Sequence, residues 1–405
     1  MLLSTFALVF VLVCAGIGSA RAQTAGSSPA PSATLAAADN AVGFDLLKNL
    51  SLKSGDDNLF ISPTSITQAI GLLYIGSAGT SQREIATTLH LHGIEQSTYD
   101  QGSTALLGML TKTSSNLKVS VANALWSQTG HPFSSQYAKR SQEDFSAIPH
   151  SVDFTEPTEA ARTINSWVSA NTGGKITTLV SPDSVGNASM VLTNAAYFKG
   201  IWTDPFDPSL TQPAPFAEKD GTVTQIPTMS RTGIISVYSD PSITVLSLPY
   251  SGTPATSMII ILPTDGGSAV NIAESMTPDI LNDWLSKLAP REIELFLPKF
   301  HIDSSLDLVS PLKDLGMKAA FTRAADFSPT GLVNTYVSDV IHKSTLDVDE
   351  EGTTASAATG VIMRALAMPR PLVVRIDHPF LCAIEENTSG ALLFLGIVNH
   401  PQSEN

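Results

Sequence analysis

The chain has 405 residues, of which 43% are hydrophobic, 15% charged and 7% aromatic, with a formal net charge of −14. The hydrophobic content excludes a disordered chain. The balance of 37 acidic to 23 basic residues excludes a nucleic-acid partner, which needs clustered cations against phosphate.

In chain order, Leu2 to Ile17 is an apolar stretch, followed by Ser19-Ala20-Arg21-Ala22-Gln23. The small residues Ala20 and Ala22 fit an export signal over residues 1–22, cut after Ala22, which places the mature chain in a secreted or periplasmic compartment with no stable membrane association. A retained anchor and lipid attachment at Cys14 are the alternatives. The run is shorter than the ~20 residues of a span, and Val13 is larger than the small residue usual before a lipidated cysteine. Cleavage leaves Cys382 without a disulfide partner, so the core alone must hold the fold. Cys382 lies in Phe380-Leu381-Cys382-Ala383-Ile384 and reads as a buried, inert thiol. Residues 23–38, rich in Ala, Ser, Thr, Gly and Pro, read as a flexible leader. Length alone allows two or three domains. No second linker or internal repeat follows Asp39, so residues 39–405 read as one domain.

Helical apolar spacing runs from Val42 to Leu50. Ser62-Pro63 reads as a helix start, with a hydroxyl cap before a proline at the first helical position. Ile66, Ala69, Ile70 and Leu73 form its buried face, and Gly76 and Gly79 end it. Ser81-Gln82-Arg83-Glu84 has capping-box spacing for the next helix. Another helix, around Trp167, stops at Gly173-Gly174. Strand signals follow at 191–198, 245–248, 258–262, 293–297, 342–348, 372–376 and 392–398, several as continuous apolar runs buried on both faces. Helices early and strands late predict an α+β fold, not alternating βαβ units.

No zinc-protease helix, nucleophile elbow, P-loop or dinucleotide fingerprint occurs. The spacing of His90 and His92 puts them on different helix faces, so no metal or cofactor is expected. A serine–histidine pair distant in sequence stays open. Asn49-Leu50-Ser51, Asn187-Ala188-Ser189 and Asn387-Thr388-Ser389 are glycosylation sequons.

The segment Glu350-Glu351-Gly352-Thr353-Thr354-Ala355-Ser356-Ala357-Ala358-Thr359-Gly360 consists almost wholly of small residues after its two glutamates. An ordinary linker is one reading. The other is a loop able to join a sheet: as a strand, Thr353, Ala355, Ala357, Thr359, Val361 and Met363 would all face one buried surface.

Several ordered motifs carry a resemblance. They are Asn58-Leu59-Phe60-Ile61-Ser62-Pro63-Thr64-Ser65-Ile66, Leu192-Thr193-Asn194-Ala195-Ala196-Tyr197-Phe198-Lys199-Gly200-Ile201-Trp202, and Leu295-Phe296-Leu297-Pro298-Lys299-Phe300 with Leu315-Gly316-Met317. His342-Lys343-Ser344, Glu350-Glu351-Gly352-Thr353, His378-Pro379-Phe380-Leu381 and Leu393-Phe394-Leu395-Gly396 complete the set. From about Asp39 to Pro401 the chain resembles a serpin, a member of the serine protease inhibitor superfamily.

The resemblance implies one domain with three β-sheets, eight or nine helices and an exposed reactive loop. It implies a monomer that is not an enzyme and needs no cofactor. Its partner is a serine protease, trapped as an acyl-enzyme when the cleaved loop inserts into the main sheet. The loop hinge corresponds to Glu350, Gly352, Thr353, Thr354, Ala355, Ser356, Ala357, Ala358 and Thr359. Thr354 stands where many inhibitory members carry Glu. Loop length places the scissile bond at Leu366-Ala367, which suits an apolar primary pocket (chymotrypsin-, elastase- or subtilisin-like), with Arg364 as the alternative reactive residue and Met368 as the late limit. Ser62, Ser65, Asn194 and His342 match the family's shutter, and Trp202 its breach. A cap for Ser62, and core roles for the others, are the plainer readings. A non-inhibitory serpin acting as a binding or chaperone module is the alternative function.

Overall fold

The structure is a computed structural model that describes residues 29–111, 114–264, 267–352 and 371–402. The chain opens on helix α1 (Pro31–Ser51), strand β1 (Leu59–Ile61), α2 (Pro63–Ile75), α3 (Gly79–Thr88) and α4 (Gln96–Thr111). It continues through β2 (Leu117–Gln128), α5 (Ser135–Phe145), β3 (His150–Val152), α6 (Pro157–Asn171), α7 (Pro182–Val185) and β4 (Met190–Trp202). Next come β5 (Gln212–Ala217), β6 (Val223–Ser239), β7 (Ile243–Ser251), β8 (Thr256–Pro263), α8 (Ala269–Ser275), α9 (Pro278–Ser286), β9 (Ala289–Pro298) and β10 (Phe300–Asp307). The last elements are α10 (Val309–Asp314), β11 (Val337–Val348), β12 (Leu372–Arg375), β13 (Phe380–Glu386) and β14 (Ala391–Val398). Ten helices are present among the described residues, slightly more than expected, because α7 and α10 are short helices of four and six residues.

The strands form one hydrogen-bonded network with three parts. The main sheet runs β3-β2-β4-β11-β10. A second part runs β1-β14-β13-β8-β7, and a third runs β5-β6-β9-β12. The far end of β6 pairs with β7, and the tip of β4 reaches β7 at Ile201 and Trp202. The three expected sheets are therefore legible, joined at their corners.

At the centre of the main sheet β4 and β11 run parallel, paired from Met190 opposite Val337 to Tyr197 opposite Thr345. The other long ladders of this sheet are antiparallel. Helix α2 is buried along nearly its whole length against α1, β4 and β14. Helix α6 packs Ile164 and Val168 into a cluster with Ala122 and Ala124 of β2, Val191 and Ala195 of β4, and Ile341 of β11. It therefore lies against β2 on the face of the main sheet opposite α2.

Two local expectations need correction. The leader does not extend to Ala38. α1 starts at Pro31 with proline at its first turn, and Leu35, Ala36 and Ala38 are buried. Alanines that look like linker composition cover a helix face when a neighbouring element needs close approach, here α4, where Gly102 sits against Pro31 and Leu35. Gly79 does not trail α2 but opens α3, whose N-cap is Ala78. Ser81 and Glu84 are thus inside that helix, and Glu84 accepts the backbone N–H groups of Lys318 and Ala319 at 2.8 and 2.6 Å instead of closing a capping box. The remaining boundaries lie close to expectation, including the stop of α6 before Gly173 and Gly174, both at positive φ.

Because Leu35 is 2% exposed, Leu35→Ala is expected to destabilise the protein by about 2–5 kcal/mol in urea unfolding. A neutral Leu35→Ala would contradict the packed helix.

Candidate functional site

The residues of interest converge where α2 meets the β4–β11 seam. Asn123 of β2, Asn194 of β4 and His342 of β11 stand directly opposite one another in register. Alternation along each strand sends all three side chains to the same face, which is the one α2 covers. Ser62 and Ser65, three apart and so on one side of α2, meet that row. Ser62, Ser65, Asn194 and His342 are each no more than 1% exposed.

Their hydrogen bonds fix one another's polarity. The backbone N–H of Ser62 donates to His342 Nε2 at 3.2 Å. A backbone amide only donates, so Nε2 carries a lone pair and the proton sits on Nδ1. Nδ1 then donates to Asn194 Oδ1, which leaves Asn194 Nδ2 to donate to Ser65 Oγ at 2.5 Å, to the Ser65 carbonyl at 3.1 Å and to Asn123 Oδ1. The result is a neutral imidazole inside a satisfied buried chain. Desolvation supports this, lowering the His342 pKa from 6.5 to about 3.

Ser62 is the N-cap of α2, as expected, but its hydroxyl does not cap the helix. Oγ donates instead to the Leu393 carbonyl at 2.6 Å. Ser62 and His342 are therefore adjacent without forming a nucleophile–base pair: the ring meets the serine's amide, and the hydroxyl is spent on β14. Thr64 and Ser344 make similar bonds to the carbonyls of Leu392 and Phe60 at 2.9 and 2.8 Å.

A second cluster lies at the tip of β4. Trp202 is buried, stacks on Tyr250 with ring centroids 4.4 Å apart, and donates Nε1–H to the Asp349 carbonyl at 3.0 Å. The amides of Trp202 and Phe206 donate to the carbonyls of Glu351 and Glu350, each at 2.8 Å. Gly352 bridges to Ile201 with φ +139°. A Cβ there would lie 2.1 Å from the Gly200 carbonyl oxygen, so glycine is required by both conformation and space. The Glu350 carboxylate accepts from Lys299 Nζ at 2.8 Å and from Thr211 Oγ1 at 2.7 Å. Glu350 and Gly352, expected as parts of a hinge, are thus firmly fixed to the body. Thr353, Thr354, Ala355, Ser356, Ala357, Ala358 and Thr359, with Arg364, Leu366 and Ala367, lie outside the described residues.

Sequence reasoning missed Asn123, Thr211 and Lys299 as contributors. Asn123 carried a usable signal, a lone amide inside the apolar run Val121-Ala122-Asn123-Ala124-Leu125. Cys382 is 1% exposed and burial pushes its thiol up to about 12, which matches the inert reading. His90 pairs with Asp45 at 2.8 Å, and both His90 and His92 lie beyond the end of α3, not on a helix as expected. Among the described residues no group of three or more His, Cys, Asp or Glu is placed to hold a metal ion.

A three-part sheet network, a central parallel seam bolted by buried amides and an imidazole, and residues 350–352 fixed at the tip of β4 define the site. The family model described as Serpin (serine protease inhibitor) matches residues 37–401. Leukocyte elastase inhibitor from Bos taurus is 34% identical over 379 residues, covering 91% of this chain and 99% of the relative. Serine protease inhibitor A3L from Rattus norvegicus is 34% identical over 378 residues, 92% of this chain and 90% of the relative. The crystal structure of human thyroxine-binding globulin with its ligand superposes with TM-score 0.86 at 29% identity, over 92% of this chain and 100% of that one. The chain belongs to the serpin family.

The neutral state of His342 has a measurable consequence. A histidine with a depressed folded pKa contributes stability that is fully present above its unfolded value and lost as pH falls from about 6.5 toward about 3. Asp39, whose carboxyl burial pushes up to about 8, acts in the opposite direction, losing its contribution as pH rises. Comparing wild type with His342→Gln cancels Asp39. The variant is expected to be less stable by about 1–3 kcal/mol at pH 7.5. That gap should shrink by about 1.4 kcal/mol per pH unit below 6.5, read from urea unfolding at pH 7.5 and 5.5. A gap that does not change with pH would count against a neutral imidazole.

Proposed function

We propose that this serpin is a covalent suicide inhibitor of a serine protease, working by insertion of its cleaved loop between β4 and β11. The observation that carries this reading is the closed parallel seam between those strands, with the loop root bonded at one end of it. A strand entering antiparallel to both replaces one parallel ladder with two antiparallel ones, and antiparallel pairing is the more stable per residue. About a dozen inserted residues at ~0.5–1.5 kcal/mol per net hydrogen bond give on the order of 10 kcal/mol, comparable to the stability of a whole domain. The intact form is then held by a barrier, not by being the lowest state.

Part of that barrier is local. An entering strand moves β11 from β4 by about one strand spacing, ~4.8 Å, which breaks the His342–Asn194 bond. In this reading Ser62, Ser65, Asn194 and His342 act as the shutter, and Trp202 marks the entry point. Gly352 to Thr359 bears neither charge nor large side chains, as rapid entry requires.

Leu366-Ala367 is the proposed scissile bond, with Arg364 the alternative reactive residue. An apolar-preferring target agrees with the elastase named for the bovine relative. Secretion through residues 1–22 and action as a monomer belong to the same proposal. A binding serpin is the second reading, favoured by the likeness to thyroxine-binding globulin.

A panel of serine proteases scored for complexes that survive denaturing electrophoresis tests inhibition directly, and mass spectrometry of the released peptide locates the bond. Nicked protein is expected to melt well above the intact form. Equal melting would favour the binding reading. Thr353→Arg or Ala355→Arg is expected to slow insertion and convert the inhibitor into a substrate. Trapped complexes at wild-type stoichiometry would overturn the hinge assignment.

A further inference from the structure

Away from the seam, the β5–β6 hairpin, the start of α8, the turn before β13 and the residue after β14 line a cavity of about 520 Å³. That volume is in the range of small-molecule sites. We propose that this cavity binds a small organic cation, a primary ammonium group carried on a flat apolar body.

The apolar wall is built by Pro215, Val223, Val270 and Pro379. Val223 is 61% exposed, an uncovered apolar surface at the cavity. The polar groups divide into those already engaged and those still available. Glu218 accepts from Thr224 Oγ1 and from His400 Nδ1, both at 2.6 Å. Lys219 is turned away to the Gly55 carbonyl and Asp56. His378 uses Nδ1 on Asp377 Oδ1 at 2.8 Å and Nε2 on the Pro263 carbonyl at 2.9 Å.

What remains is acceptor capacity. Asp377, with its side chain 48% exposed, uses only Oδ1, and its Oδ2 has no partner among the described residues. Asn399, which also lines the cavity, is 2% exposed and donates Nδ2 to the Asp57 carbonyl at 2.8 Å, so the acceptor open to a ligand is Asp377. Half-exposed carboxylate oxygen beside apolar surface calls for a hydrogen-bond donor, and a charged donor forms the stronger bond. The acidic net charge of the chain favours the approach of cations over anions.

Isothermal titration of the full chain with phenethylammonium chloride tests the assignment, with 3-phenylpropionate as the anionic counterpart. Saturable one-site binding of the ammonium is expected, with the carboxylate weaker by about tenfold or more. Asp377→Asn keeps an oxygen for His378 and is expected to weaken ammonium binding on the order of tenfold. Val223→Ser is expected to weaken it about threefold through lost apolar contact. Non-saturating heats, equal binding of the carboxylate, or an Asp377→Asn variant that binds like wild type would each overturn the proposal. Trapping of proteases is measured separately, so either result leaves the inhibitor reading to its own test.

Discussion

The molecule turns on one row of three side chains. Asn123, Asn194 and His342 cross the three central strands of the main sheet in register. The bond from His342 to Asn194 links side chains across the parallel seam. All other features of the site relate to that seam. α2 supplies Ser62 and Ser65 from below, α6 covers the opposite face, and Glu350 to Gly352 are held where β4 ends. A buried polar network is stable only while every member is satisfied. The row therefore ties the three central strands together and to α2 through bonds that satisfy one another.

The network also shows why polar residues occupy a core position that packing alone would fill with aliphatic side chains. A hydrocarbon row would leave β4 and β11 joined by backbone bonds and dispersion alone, with no side-chain tie to α2 or β14. Amide and imidazole groups with fixed donor and acceptor roles tie the seam to α2 and, through Ser62 Oγ, to β14. Helix, main sheet and second sheet thus share one chain of bonds, and a shift in any of them is felt at the others.

Much of this is legible in the sequence. The continuous apolar runs that became β4, β8 and β14 are buried on both faces, and β9 alternates buried and half-buried residues from Ile293 to Leu297. Ser62-Pro63 marked the start of α2 because proline at the first turn has a single conformational meaning. β2 and β6 were not recognised, since Lys118, Ser120 and Asn123, and Thr224, Gln225 and Arg231, interrupt their apolar pattern. Those strands are specified by neighbours distant in sequence. The start of α1 was hidden for a different reason: alanine and serine are as common in a close-packed helix face as in a linker. The four seam residues were named from motif resemblance. Their partner Asn123 was missed, because register between β2 and β4 is a property of the folded sheet and not of either segment alone.

The root of the loop is held mostly by main-chain atoms: the carbonyls of Asp349, Glu350 and Glu351 and the side-chain-free Gly352. Side-chain changes at Glu351 would therefore leave these carbonyl bonds in place, whereas Gly352 admits no Cβ beside the Gly200 carbonyl.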